Sequence, residues 1–113
     1  MAFDSVLAGR LREMLAPVGP VHEIRMFGGL AFMVNGHMCV CVRGDEIYAR
    51  LGHDGVAQAI AAGEAKPFRP TGRNQALGLA TVPDAVSLDD AELEDWVRRC
   101  SDFVMTLPPK AVL

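Results

Sequence analysis

The stretch Arg25-Met26-Phe27-Gly28-Gly29-Leu30-Ala31-Phe32-Met33-Val34-Asn35-Gly36 decides how this chain folds. Phe, Met, Leu and Val dominate it, a composition suited to a pleated, half-buried backbone. Asn35-Gly36 tolerates positive φ at both central positions of a type I′ turn and so marks a tight hairpin. The Gly28-Gly29 pair interrupts the apolar run. From sequence, a strand begins near His22 and runs to Val34, with a bulge or sharp bend at the two glycines. The pair is not a phosphate loop, because no Lys-Ser or Lys-Thr follows and no helix opens there.

Beyond the hairpin, Met38 to Arg43 forms the next strand and Gly44-Asp45 a second turn. Glu46-Ile47-Tyr48-Ala49-Arg50-Leu51 then completes an antiparallel meander of three strands. His53-Asp54-Gly55 opens a short helix through Val56, Ala59 and Ile60, closed by Gly63. Glu64 to Gln75 holds two prolines, Gly72 and three basic residues; it reads as an exposed loop with room for a short strand at Pro67-Phe68-Arg69. Ala76 to Val82 is a further strand ended by Pro83.

Two helices frame this sheet. Between Asp4 and Ala16, Val6, Leu7, Leu11, Met14 and Leu15 fall at helical spacing, with Asp4 or Ser5 as N-cap. Near the C-terminus, Ser87 and Asp90 stand at capping-box spacing ahead of Leu93, Trp96, Val97, Cys100, Phe103, Val104 and Leu107 on one face. Pro108-Pro109 ends that helix, and residues 108–113 are expected to fray. The predicted order is α-β-β-β-α-β-β-α, an α+β architecture of two layers with helices on one face of an antiparallel sheet. The 113 residues are expected to form a single domain.

Half of the residues are hydrophobic, which supports a packed core and argues against disorder. No apolar run approaches the roughly 20 residues that span a bilayer, and Met1-Ala2-Phe3-Asp4 lacks the features of a signal peptide. The expectation is a cytoplasmic protein with no membrane partner. A net charge of −3 gives no overall cationic field for a phosphate backbone, so direct nucleic-acid binding is not expected. The cysteine count of three is odd, and Cys39 and Cys41 lie too close along one strand to bridge each other. No disulfide framework is expected.

His37, Cys39 and Cys41 alternate along a strand and so are expected on one side of it, where sulfur and imidazole begin a Zn²⁺ or Cu⁺ site. A closed site needs a fourth ligand, and the favoured reading makes both cysteines packed apolar residues, His37 a solvated one, and the metal absent. A cysteine nucleophile needs a base, and His22, His37 and His53 have no local signature with a cysteine. Asp89, Asp90, Glu92, Glu94 and Asp95 suit the positive end of a helix dipole. Arg25, Arg43 and Arg50 come from neighbouring strands and Arg69 and Arg73 from the loop; the favoured reading is dispersed, solvated charges, whereas convergence beside Phe27, Gly28 and Gly29 would hold an anion or an acidic partner.

Taken in order, Arg25-Met26-Phe27-Gly28-Gly29, Asn35-Gly36 and Glu46-Ile47-Tyr48-Ala49-Arg50-Leu51 resemble the N-terminal domain of the TfoX/Sxy family. Gly72-Arg73, Val82-Pro83, Leu93-x-x-Trp96-Val97 and Leu107-Pro108-Pro109-Lys110 match its later landmarks, as in short single-domain bacterial members. The resemblance implies a two-layer α+β fold like that of secretion chaperones and a bacterial cytoplasmic protein. In longer relatives, which add a helical C-terminal domain, it implies a link to DNA uptake and competence genes. It supplies no catalytic residues and no cofactor. Two functions are therefore expected: a non-enzymatic interaction module that engages a protein partner, such as the transcription machinery, or a second copy of itself; or, alternatively, a small-molecule or anion-binding protein or cryptic enzyme using the arginines.

Overall fold

A computed structural model describes residues 3–68 and 78–110. Its first departure from the sequence reading lies at the two glycines. The segment expected as one bent strand is two strands, β1 (Val21–Met26) and β2 (Gly29–Val34), paired antiparallel with Met26 opposite Gly29. Phe27 and Gly28, with φ of 56° and 75°, form the two-residue connection. Positive φ at both central positions is the geometry whose twist matches a right-handed hairpin. Gly29 meets a different demand: a Cβ there would strike the carbonyl oxygen of Val42 on the adjoining strand.

The second hairpin is as expected, with Asn35 and Gly36 at φ 53° and 80° between β2 and β3 (His37–Arg43). β4 (Glu46–Arg50) follows the turn at Gly44-Asp45. The meander thus has four strands rather than three. β5 (Lys66–Pro67) and β6 (Leu79–Val82) complete an antiparallel sheet of order β1-β2-β3-β4-β6-β5 among the described residues. Arg69, Ala76 and Leu77, expected as strand residues, lie outside them.

The bulge sits elsewhere. Phe32 pairs with Val40 but Met33 with Met38, so Cys39 is an extra residue on β3. An inserted residue resets the alternation of side chains beyond it. Cys39 and Val40 both join the core beneath the helices, whereas Cys41 joins a smaller apolar cluster on the opposite face.

Among the described residues three α-helices pack on one face: α1 (Ser5–Leu15), α2 (Gly52–Ala61) and α3 (Asp90–Val104). Asp4 caps α1 by accepting from the Leu7 amide at 2.8 Å. Leu7, Leu11 and Leu15 form its buried stripe, while Val6, about 100° away around the helix, is 71% exposed and not a core residue. α3 is capped by Asp89 with Glu92 in a reciprocal capping box, not by Ser87 with Asp90. Ser87 instead donates to Asp84 within the preceding turn. Leu93, Trp96, Val97, Cys100 and Val104 are buried as the spacing predicts; Phe103 and Leu107 are half-buried.

Ion pairs fasten the helices to their surroundings: Arg10 to Asp90, Arg12 to Glu23, and Arg99 to both Glu64 and Asp95, with the Arg99 guanidinium 4.5 Å from the Trp96 ring centre. Of the segment expected to fray, residues 108–110 are tied to the second hairpin. The Lys110 amide donates to the Asn35 carbonyl at 2.8 Å, and His37 Nε2 donates to the Pro108 carbonyl at 2.7 Å. Among the described residues no helix is long and apolar enough to cross a membrane.

Candidate binding surface

The helix-free face of the sheet carries its own apolar cluster. Ala31, Met38, Cys41, Tyr48, Phe68 and Leu79 are buried there, with Met26, Phe27 and Met33 packed at its margin. Phe27, Tyr48 and Phe68 meet edge to face, with ring centres 4.8–6.3 Å apart. Quadrupole complementarity favours that arrangement over parallel stacking. The ring contacts help to hold Phe27 in a backbone conformation uncommon for a bulky residue.

The arginines do not converge. Arg25 pairs across β1–β2 with Leu30, a helix-side residue, and its guanidinium lies 5.9 Å from the Phe3 ring. Arg43 lies on the helix-free side, where it donates to the Tyr48 hydroxyl at 3.2 Å and packs against Gly28. Arg50 is at the other end of β4, about 13 Å farther along at ~3.3 Å per residue, with Tyr48 between them. The alternative in which Arg25, Arg43 and Arg50 converge beside Phe27, Gly28 and Gly29 is therefore not realised: these side chains occupy two faces and both ends of the sheet. Arg69 and Arg73 lie outside the described residues.

Arg50 enters a concave site on the helix-free face, while Arg25 lines a separate hollow with Met26, Phe27, Gly28 and Gly29. A groove of about 260 Å³ runs beside the Asn35-Gly36 turn, walled by Met26, Phe27, Met33, Met38 and Leu79. Arg50 and Lys110 are the charged residues that line it, and no carboxylate among the described residues does. Arg50 donates to the Met38 carbonyl at 3.3 Å, while its buried Nε–H has no partner among the described residues. Burial lowers the pKa of the guanidinium, against an opposing pull from Cys39.

The sulfur and imidazole groups also separate. The bulge places Cys41 on the face opposite Cys39, so the shared side expected for His37, Cys39 and Cys41 is corrected as well. Cys39 meets Cys100 in the helix-side core; a hydrogen bond with Cys39 and then burial push the Cys100 thiol well up. Burial pushes the Cys41 thiol up to about 12, with Arg43 pulling the other way. His37 binds the C-terminal backbone. No group of three or more His, Cys, Asp or Glu side chains among the described residues is arranged to hold a metal ion.

The sheet also offers an edge. β1 pairs with β2 alone among the described residues, and His22, Glu23, Ile24 and Arg25 are exposed along it. Ile24, opposite Ala31, stands on the helix-free side and is 43% exposed. Sequence reasoning missed Ile24 and the methionine wall because it made residues 22–34 one strand. The available signal was the alternation Glu23-Ile24-Arg25-Met26, in which Ile24 and Met26 share a face.

These features define a small α+β domain with, among the described residues, a bare sheet edge and a helix-free face. The TfoX N-terminal domain family matches residues 13–104, most of the chain, and the chain belongs to that family. Neither the curated proteins nor the solved structures contain a match to it.

Proposed function

We propose that this domain is a non-enzymatic interaction module in regulation that works by strand addition at β1, with a second copy of the chain as its first partner. The carrying observation is the composition of that bare edge. In an antiparallel pairing with Ile24 opposite Ile24, Glu23 of each copy faces Arg25 of the other on one side of the extended sheet. On the other side the two exposed isoleucines meet. Backbone hydrogen bonds supply affinity in such an interface, and the side-chain pairs fix its register.

The regulatory placement, including any tie to transcription or competence genes, rests on membership of the TfoX N-terminal domain family. The non-enzymatic reading is supported by thiols that are buried and, at Cys41 and Cys100, held protonated. The net charge of −3 argues for a protein partner over duplex DNA.

Light scattering on the purified protein tests the edge. The expected result is a dimer at micromolar concentration, converted to a folded monomer by Ile24→Lys, since a lysine on an edge strand opposes pairing. A wild-type protein that stays monomeric at high micromolar concentration overturns the self-pairing. Retention of duplex DNA near 50 mM salt would move the reading to nucleic acid.

A further inference from the structure

The groove beneath Arg50 has a chemistry that the edge reading does not use. Its walls are soft and apolar, with Met26, Met33 and Met38 contributing three flexible thioethers. Such walls adapt to ligand shape and so favour a class of compound over one outline. At one end stands a half-buried guanidinium whose buried N–H has neither an acceptor nor an acidic partner among the described residues. A partly desolvated cation without a counter-charge is unfavourable, and an anion that enters the groove relieves it.

We propose that this groove is a binding site for a small amphiphilic carboxylate, with its carboxylate on Arg50 and its apolar body against the methionine wall. The planar guanidinium fork matches two carboxylate oxygens and makes hydrogen bonds about twice as strong as neutral ones. A monoanion suits the site better than a phosphate dianion, because one half-buried guanidinium is there to offset the loss of water around the ligand's charge. Lys110 at the rim adds a second positive charge. The groove's 260 Å³ equals about nine waters at ~30 Å³ each. That is space for a chain of about ten heavy atoms, which lies just under the usual size of small-molecule pockets.

Octanoate is the probe and octanol its uncharged counterpart, each titrated into the intact protein and followed by NMR of the methionine methyl groups. Saturable octanoate shifts are expected at Met26, Met33 and Met38, with octanol weaker by about tenfold or more, the worth of a charge-assisted hydrogen bond. Arg50→Gln should bring octanoate down to the level of octanol. Arg43→Gln, at the far end of the same face, should leave octanoate binding unchanged. Octanol binding as tightly as octanoate overturns the proposal, as does absence of saturable octanoate binding at these methyls. Unchanged octanoate affinity in a folded Arg50→Gln protein overturns it too. The octanoate–octanol ratio is measured on the wild type, so it decides the matter even if that variant does not fold. None of these outcomes depends on whether β1 pairs with a second copy.

Discussion

At Phe27 a φ of 56° places a bulky side chain in the left-handed region, and the next residue continues there at 75°. The neighbouring glycines answer separate demands. Gly28 supplies the second positive φ of the turn, so an alanine there meets backbone strain of about 1–2 kcal/mol and a side chain, Arg43, that can swing away. Gly29 is extended, and its missing Cβ leaves space for the Val42 carbonyl on the neighbouring strand. That obstacle is backbone, held by the β2–β3 ladder, so relief requires the strands to part. Denaturant unfolding should show Gly28→Ala losing about 1–2 kcal/mol and Gly29→Ala losing more, by overpacking that costs about 1–3 kcal/mol and exceeds that range where backbone must move. The reverse ranking would mean that the turn, and not the close approach of strands, sets the need for glycine here.

Among the elements, α1 is strapped to the edge strand by Arg12, which donates from Nε and Nη2 to both carboxylate oxygens of Glu23 at 2.6 and 2.8 Å. These hydrogen bonds hold the Glu23 carboxyl below its ordinary pKa, with a smaller opposing effect of burial. A depressed carboxylate pKa gives stability that is present above the unfolded value of about 4.3 and lost as pH falls through the lower folded value. Both side chains are substantially exposed, 54% and 32%, so solvent limits the gain to about 1 kcal/mol or less. Arg12→Gln should therefore melt slightly below wild type at neutral pH, and the gap should narrow below about pH 4.3 and close once Glu23 is protonated in both states. A gap of constant size across that range would assign the loss to packing of the Arg12 stem.

How far the elements were legible follows from where their causes lie. The stripe Leu93, Trp96, Val97, Cys100 and Val104 and the Asn35-Gly36 turn are local patterns, and both appear as read. The Phe27-Gly28 turn was hidden because phenylalanine favours strands and is not a turn residue; the ring contacts with Tyr48 and Phe68 that accompany it are tertiary. The bulge at Cys39 carries no glycine or proline to announce it. Strict alternation without that extra residue assigns every side chain beyond it to the wrong face and so puts Cys41 on the side of Cys39. Of the candidate arginines, strand assignment could place Arg43 and Arg50 on the sheet, but only the missed β1–β2 turn sends Arg25 to the other side.

For the molecule as a whole, the question is whether the two apolar faces stand or fall together. They share one sheet: Cys39 and Cys100 lie on the helix side and Cys41 on the other, all fully buried. With its pKa pushed up to about 12, Cys41 at pH 8 is thiolate in on the order of one molecule in ten thousand, even before access is considered. An aromatic disulfide reagent should therefore leave the native protein unmodified over a period in which denatured protein yields three thiols. At low denaturant the three should appear with a single rate, because exposing either cluster means separating β2, β3 and β4, which carry residues of both. Adding denaturant should accelerate all three with the sensitivity of global unfolding. If Cys41 reacts ahead of the other two, the helix-free face opens on its own, and the groove beside Arg50 belongs to a locally mobile layer rather than to the cooperative core.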